Sequence, residues 1–215
     1  LGFKVNIAGH AAGGLASYLG KERFGHNKNG EPVSGFAVPG LEEYWDEDVF
    51  ITEVLTLEAI KALESSVEKK EPFFLYMSHY AVHVPLQADN RFVDKYLQRG
   101  LLQSEANYAS MVEGMDKSLG DLMDYLESKE ELENTIIIFM SDNGGYSLYG
   151  RTPPLHTQNL PLRSGKGSAY EGGIRVPMIV YWNGTVNPGT TINDYVIIED
   201  FFPSILEMAE VDSYD

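Results

Sequence analysis

Three short segments carry residue types that could do chemistry together: His79 and His83, Asp142 and Asn143, and Gly165-Lys166-Gly167. A carboxylate beside an amide oxygen suits a hard cation such as Ca²⁺ or Mg²⁺, and Gly144-Gly145 lets the backbone turn sharply behind them. A lysine with glycine on each side can approach a ligand closely, and the imidazoles add neutral hydrogen-bond donors. Gathered in one pocket, this set would hold an oxyanion. Each piece also has a plainer reading. Asp-Asn-Gly-Gly is ordinary turn chemistry, His83 between Val82 and Val84 could be a hydrogen-bonded wall residue, and Lys166 alone could be a solvated loop lysine. His79, Glu171 and Arg175 read as structural, and His10 is left outside the site.

Bringing these segments to one end of a sheet requires strands that stop where they begin. Ile136–Met140 is an uninterrupted apolar run, the pattern of a central strand covered on both faces in a parallel sheet. Ligands in open α/β sheets sit beyond the carboxyl ends of strands, where Asp142 and Asn143 fall. Phe73–Ser78 reads as a further buried strand ending at His79, Val176–Trp182 as a third, and Val196–Ile198 as a short fourth. Helical periodicity runs from Thr52 to Lys69 and from Ser104 to Ser128, and Phe201–Ala209 reads as a helix with Pro203 in its first turn. The order strand, helix, strand over 73–141 predicts a right-handed parallel crossover. Residues 1–50 lack periodicity. So does 146–173, a candidate lid or binding loop that carries His156 and Arg163.

The 215 residues suffice for one α/β domain or part of a larger one. A net charge of -16 argues against a nucleic-acid surface, which needs clustered Lys and Arg. The absence of cysteine excludes disulfides and thiolate metal sites within these residues. No run approaches the ~18 apolar residues of a membrane span.

Taken together, the segments resemble the sulfatase family, sulfuric ester hydrolases of the alkaline phosphatase superfamily. The resemblance lies in Pro72-Phe73-Phe74-Leu75-Tyr76 through His83-Val84-Pro85, in Tyr108-Ala109-Ser110-Met111-Val112 with Asp116, and in Ile138-Phe139-Met140-Ser141-Asp142-Asn143-Gly144. It continues through Leu162-Arg163, Gly165-Lys166-Gly167 and Tyr170-Glu171-Gly172-Gly173-Ile174-Arg175-Val176-Pro177, and the opening from Gly2-Phe3 to Tyr18 also matches.

The resemblance implies an α/β fold, a mainly parallel sheet flanked by helices, present here as an internal, incomplete part of one catalytic domain. The N-terminal nucleophile segment and the C-terminal subdomain would lie outside it. It implies Asp142 and Asn143 as two ligands of a Ca²⁺ ion, with Mg²⁺ the alternative. Lys166 and His83 would be catalytic contacts to the sulfate and its leaving oxygen, and His156 and Arg163 substrate contacts. The formylglycine nucleophile is made from a Cys or Ser in a Cys/Ser-x-Pro-x-Arg motif, and no such motif occurs among these residues. These residues alone are expected to be inactive.

A sulfated small molecule or glycan is the implied substrate, in a periplasmic, secreted or lysosome-like location. Self-association through an incomplete sheet is a further expectation. Two rival readings stand beside this one: a phosphate or phosphonate monoester hydrolase of the same superfamily, and a non-catalytic binding module derived from the fold.

Overall fold

Helix α1 (Ile51–Lys69) forms where the periodicity places it, and ends at Lys70, whose left-handed backbone (φ 54°) lets its N–H bond back to the carbonyls of Ser66 and Val67. The computed structural model describes residues 2–146 and 159–211. A six-residue helix, α2 (Val93–Gln98), occupies what the sequence reads as a polar loop. It is anchored by Asp89, whose fully buried carboxylate accepts hydrogen bonds from the Arg91 backbone N–H, Nε and Nη2 at 3.1, 2.9 and 2.6 Å. The long helix α3 (Gln103–Ser128) packs against both, and its Ser110 hydroxyl accepts the Asp89 N–H at 3.1 Å.

The main core is built largely from the opening that shows no periodicity. Tyr18, Phe24, Val38 and Leu41 are buried with Phe50, Ile51 and Val54 at the start of α1 and with Met111 of α3. A second cluster joins Ala59, Leu63 and Val67 of α1 to Leu122 of α3, with Phe73, Leu75 and Met77 packed against them.

The sheet differs from expectation. Strands β1 (Ile137–Met140) and β2 (Met178–Tyr181) pair antiparallel, with Ile137 opposite Tyr181 and Met140 opposite Met178, and this is the sheet formed among the described residues. The expected parallel crossover is therefore not formed there. Residues 73–78 keep the alternation of a strand, with Phe73, Leu75 and Met77 turned to the helices and Phe74 and Tyr76 62% and 72% exposed. They join no ladder, because no described strand lies alongside. For the same reason β1 is not the central, doubly covered strand its sequence suggests: it has one neighbour and no buried residue. An apolar cavity of about 310 Å³ separates its Ile137 and Phe139 from Val112, Met115, Leu119 and Met123 of α3.

A single helical turn, α4 (Glu171–Ile174), precedes β2. Val196–Ile198 is not a strand; instead α5 (Ile198–Met208) begins there, with the Asp200 carboxylate accepting the Ile197 N–H at 2.8 Å. That cap starts the helix earlier than expected and leaves Pro203 in its interior rather than its first turn. None of the α5 side chains is buried.

Between α1 and α3 lies a chain of polar contacts. Thr56 donates to the Thr52 carbonyl at 2.7 Å, so the Ser118 hydroxyl, 2.6 Å away, must donate to Thr56. His79 Nε2, 3.3 Å from the Ser118 oxygen, then carries the imidazole proton, and Nδ1 is buried without a partner. A second proton would find no acceptor, and burial pushes the His79 pKa down to about 4. Because the unfolded chain takes up that proton at ordinary histidine pH and the folded one does not, His79 makes stability fall as pH drops from about 6.5 toward 4. The expected loss is on the order of 3 kcal/mol across that window. Urea unfolding midpoints measured from pH 7 to 4 should fall less steeply in His79→Gln than in the parent.

Candidate active site

Past β1 the chain turns at Ser141, whose hydroxyl donates to the Asn143 carbonyl at 2.9 Å. Backbone bonds then cross between segments far apart in sequence. Gly144 N–H donates to Gly173 C=O at 2.9 Å, Lys166 N–H to Gly145 C=O at 3.0 Å, and Gly172 N–H to Arg163 C=O at 2.9 Å. The Asn159 amide brackets this crossing: its oxygen accepts the Gly145 N–H at 3.0 Å, and its nitrogen donates to the carbonyls of Gly145 and Ser164 at 2.9 and 3.1 Å.

Glycine is what lets these strands of backbone approach. A Cβ on Gly144 would collide with the Gly172 carbonyl, one on Gly172 with those of Arg163 and Ser164, and one on Gly173 with those of Ser168 and Gly165. The loop of Asp142 and Asn143 and the Gly165-Lys166-Gly167 segment are thus fixed to each other by main chain. Their side chains stay in solvent: the Lys166 and Asp142 side chains are exposed, and neither makes a hydrogen bond or ion pair with a described residue. The Arg163 guanidinium stacks 3.8 Å from the centroid of the Tyr170 ring, and Arg175 pairs with Glu171 at 3.2 Å across one exposed helical turn.

His83 sits in a second constellation. Its Nδ1 lies 2.9 Å from the Val84 carbonyl, which can only accept, so Nδ1 carries the proton and Nε2 keeps its lone pair. Its backbone N–H donates to Tyr80 C=O at 3.0 Å. Gly14 backs the ring closely enough that a Cβ there would lie 3.2 Å from both Cε1 and Nδ1. No hydrogen bond or ion pair links His83 to the Asp142–Lys166 group among the described residues, and His156 lies outside them. Asn159 and Gly14 escape a reading by motif, because a loop amide and a lone glycine have no periodic context; the density of glycine from 165 to 173 is the one visible signal.

Asp142 and Asn143 supply oxygen donors of the kind a hard cation takes, but Ca²⁺ needs ~6–8 oxygens. No group of three His, Asp or Glu residues converges among the described residues. The donor types fit the ion, but two of them fall short of the oxygens it takes.

Among the described residues the chain is α/β, with a small sheet beside long helices. The description "Sulfatase" belongs to the family model that matches residues 11–211, and the chain belongs to that family. It is 38% identical over 179 residues to an N-acetylgalactosamine-6-O-sulfatase of Bacteroides thetaiotaomicron, covering 76% of this chain and 32% of that protein. Arylsulfatase J of Mus musculus is 32% identical over 169 residues, covering 77% and 27%. A crystal structure of Ps i-CgsB in complex with k-i-k-neocarrahexaose superimposes with a TM-score of 0.69 at 35% identity, over 78% of this chain and 37% of that one. The chain thus spans about a third of the length of the curated relatives it matches.

Gly144→Ala should open the crossing, destabilising it by about 1–3 kcal/mol through overpacking. Gly13→Ala, with nothing within 4 Å of the added methyl, is the control. Amide hydrogen exchange at Lys166 reads the difference: its protection should drop in Gly144→Ala and stay unchanged in Gly13→Ala.

Proposed function

We propose that the protein to which this chain belongs hydrolyses sulfate esters, and that this chain is an internal part of its single catalytic domain. The observation that carries the reading is the Lys166 N–H to Gly145 C=O bond, which ties the Gly-Lys-Gly segment to the loop of Asp142 and Asn143 in a chain of the sulfatase family. Asp142 and Asn143 would hold part of a Ca²⁺ site, with Mg²⁺ the alternative. When bound, the metal supplies positive charge at the sulfate oxygens, and a formylglycine from outside these residues supplies the nucleophile.

The chain's own side chains account for binding and for the proton. Lys166 offsets negative charge as the ester bond breaks, a contribution that grows with the charge developing on the leaving oxygen. His83, its Nδ1 proton committed to Val84, has Nε2 free, and once protonated that nitrogen donates to the sulfate or to the leaving oxygen. Arg163 and His156 would contact the remainder of the substrate. A sulfated glycan is the favoured substrate class, since one relative is named for N-acetylgalactosamine 6-O-sulfate and one structural neighbour was crystallised with a carrageenan oligosaccharide. No helix of the described residues is long and apolar enough to cross a membrane, and a periplasmic, secreted or lysosome-like location goes with such substrates. The exposed faces of β2 and α5, with Ile179 64% and Ile198 68% exposed, are where self-association of these residues would occur.

In the full-length protein, Lys166→Ala should lower kcat on a sulfate ester by about 10²–10³-fold. Sulfate release, measured beside phosphate release from the matching phosphate ester, decides between chemistries. Faster cleavage of the phosphate would move the assignment to a phosphate or phosphonate monoesterase, and loss of neither on Lys166→Ala would remove Lys166 from the site.

A further inference from the structure

His83 is half-buried, and the loop that carries it is tied to the core. One buried side chain bonds to it at two carbonyls. Tyr18 has no solvent exposure, and its hydroxyl lies 2.7 Å from Tyr80 C=O and 2.8 Å from His83 C=O, sharing its single proton between them. The Tyr18 backbone N–H donates to the side-chain oxygen of Gln87 at 2.7 Å, so the same residue grips the loop again four residues beyond His83. Its carbonyl accepts the Ile51 N–H at 2.8 Å and its ring stacks on Phe50 at 5.0 Å, tying that grip to the start of α1. Burial pushes the phenol pKa well above its ordinary value, so the hydroxyl remains a donor throughout the working pH range.

We propose that Tyr18 is a positioning residue for His83: by donating to the Tyr80 and His83 carbonyls it holds the loop in the turn that sets His83 Nδ1–H on the Val84 carbonyl, and so keeps Nε2 as the free nitrogen. The argument rests on the sulfatase reading for what Nε2 does, but not for where it is held. Without the phenol proton the two carbonyls lose a buried partner, and the hold of Tyr18 on the loop is reduced to its backbone bond to Gln87. The imidazole then samples both tautomers, and a proton on Nε2 no longer depends on the ring being protonated.

The test is Tyr18→Phe in the full-length protein, which keeps the ring and its packing on Phe50. Ring-nitrogen spectra of histidine-labelled protein, with His83→Gln to assign the signal, read the tautomer without any turnover. With the ring neutral, the parent should show the proton on Nδ1 and the variant a mixture of both forms. Kinetically, kcat on a sugar sulfate, whose leaving oxygen needs a proton, should fall about tenfold or more, while a nitrophenyl sulfate should change by less than about twofold. Gly14→Ala, whose methyl would lie 3.2 Å from the ring's Cε1 and Nδ1, should reproduce that split and serves if Tyr18→Phe does not fold. An unchanged tautomer in Tyr18→Phe, or an equal fall on both esters, overturns the proposal. If the parent cleaves no sulfate ester, the functional reading fails, and the tautomer comparison still decides whether Tyr18 positions His83.

Discussion

The phenol of Tyr18 ties the opening fifty residues to the loop that carries His83. A buried hydroxyl must find acceptors, and this one finds them on the loop after residues 73–78, while its backbone joins the start of α1 and its ring enters the main core. The opening fifty residues have few repeating elements of their own, so their order comes from such cross-links. Tyr80 adds another, donating to Ala8 C=O at 2.7 Å. An irregular segment of this kind is held by side-chain hydrogen bonds and large buried rings rather than by a ladder.

The second constraint is steric. Backbones can cross at hydrogen-bonding distance between 144–145 and 163–173 only because no Cβ stands between them. The crossing has an electrostatic result, since it places a lysine next to the loop of an acid and an amide without using any of those side chains to do so. They are left for solvent or ligand. His83, by contrast, has one ring nitrogen already committed, which fixes what the other can do.

Much apolar surface remains uncovered. Phe74, Tyr76 and Ile179 are exposed, α5 buries none of its residues, and a cavity separates α3 from β1. The alternation in 73–78 is that of a paired strand, and Phe3 stacks 5.7 Å from Phe74 on its open side. These faces belong to a chain that spans about a third of its curated relatives, and the sheet is correspondingly small.

By itself the sequence determined what local pattern can encode. The 3.6-residue periodicities place α1 and α3 within a residue of where they lie, and the runs around Ile138 and Val180 mark both paired strands. Asp142, Asn143, Lys166 and His83 stood out because their residue types sit among glycines or at strand ends. Only the tertiary structure decided the rest. The direction of β2 against β1 is a matter of which strands meet, and an apolar run looks the same in either direction. The helix α2 follows from Asp89, whose buried carboxylate holds Arg91 and whose backbone N–H donates to Ser110 of α3, and α5 starts early because Asp200 caps it. Tyr18, Asn159 and Gly14 gain their meaning from residues fourteen to sixty-nine positions away, a separation over which no periodicity carries information.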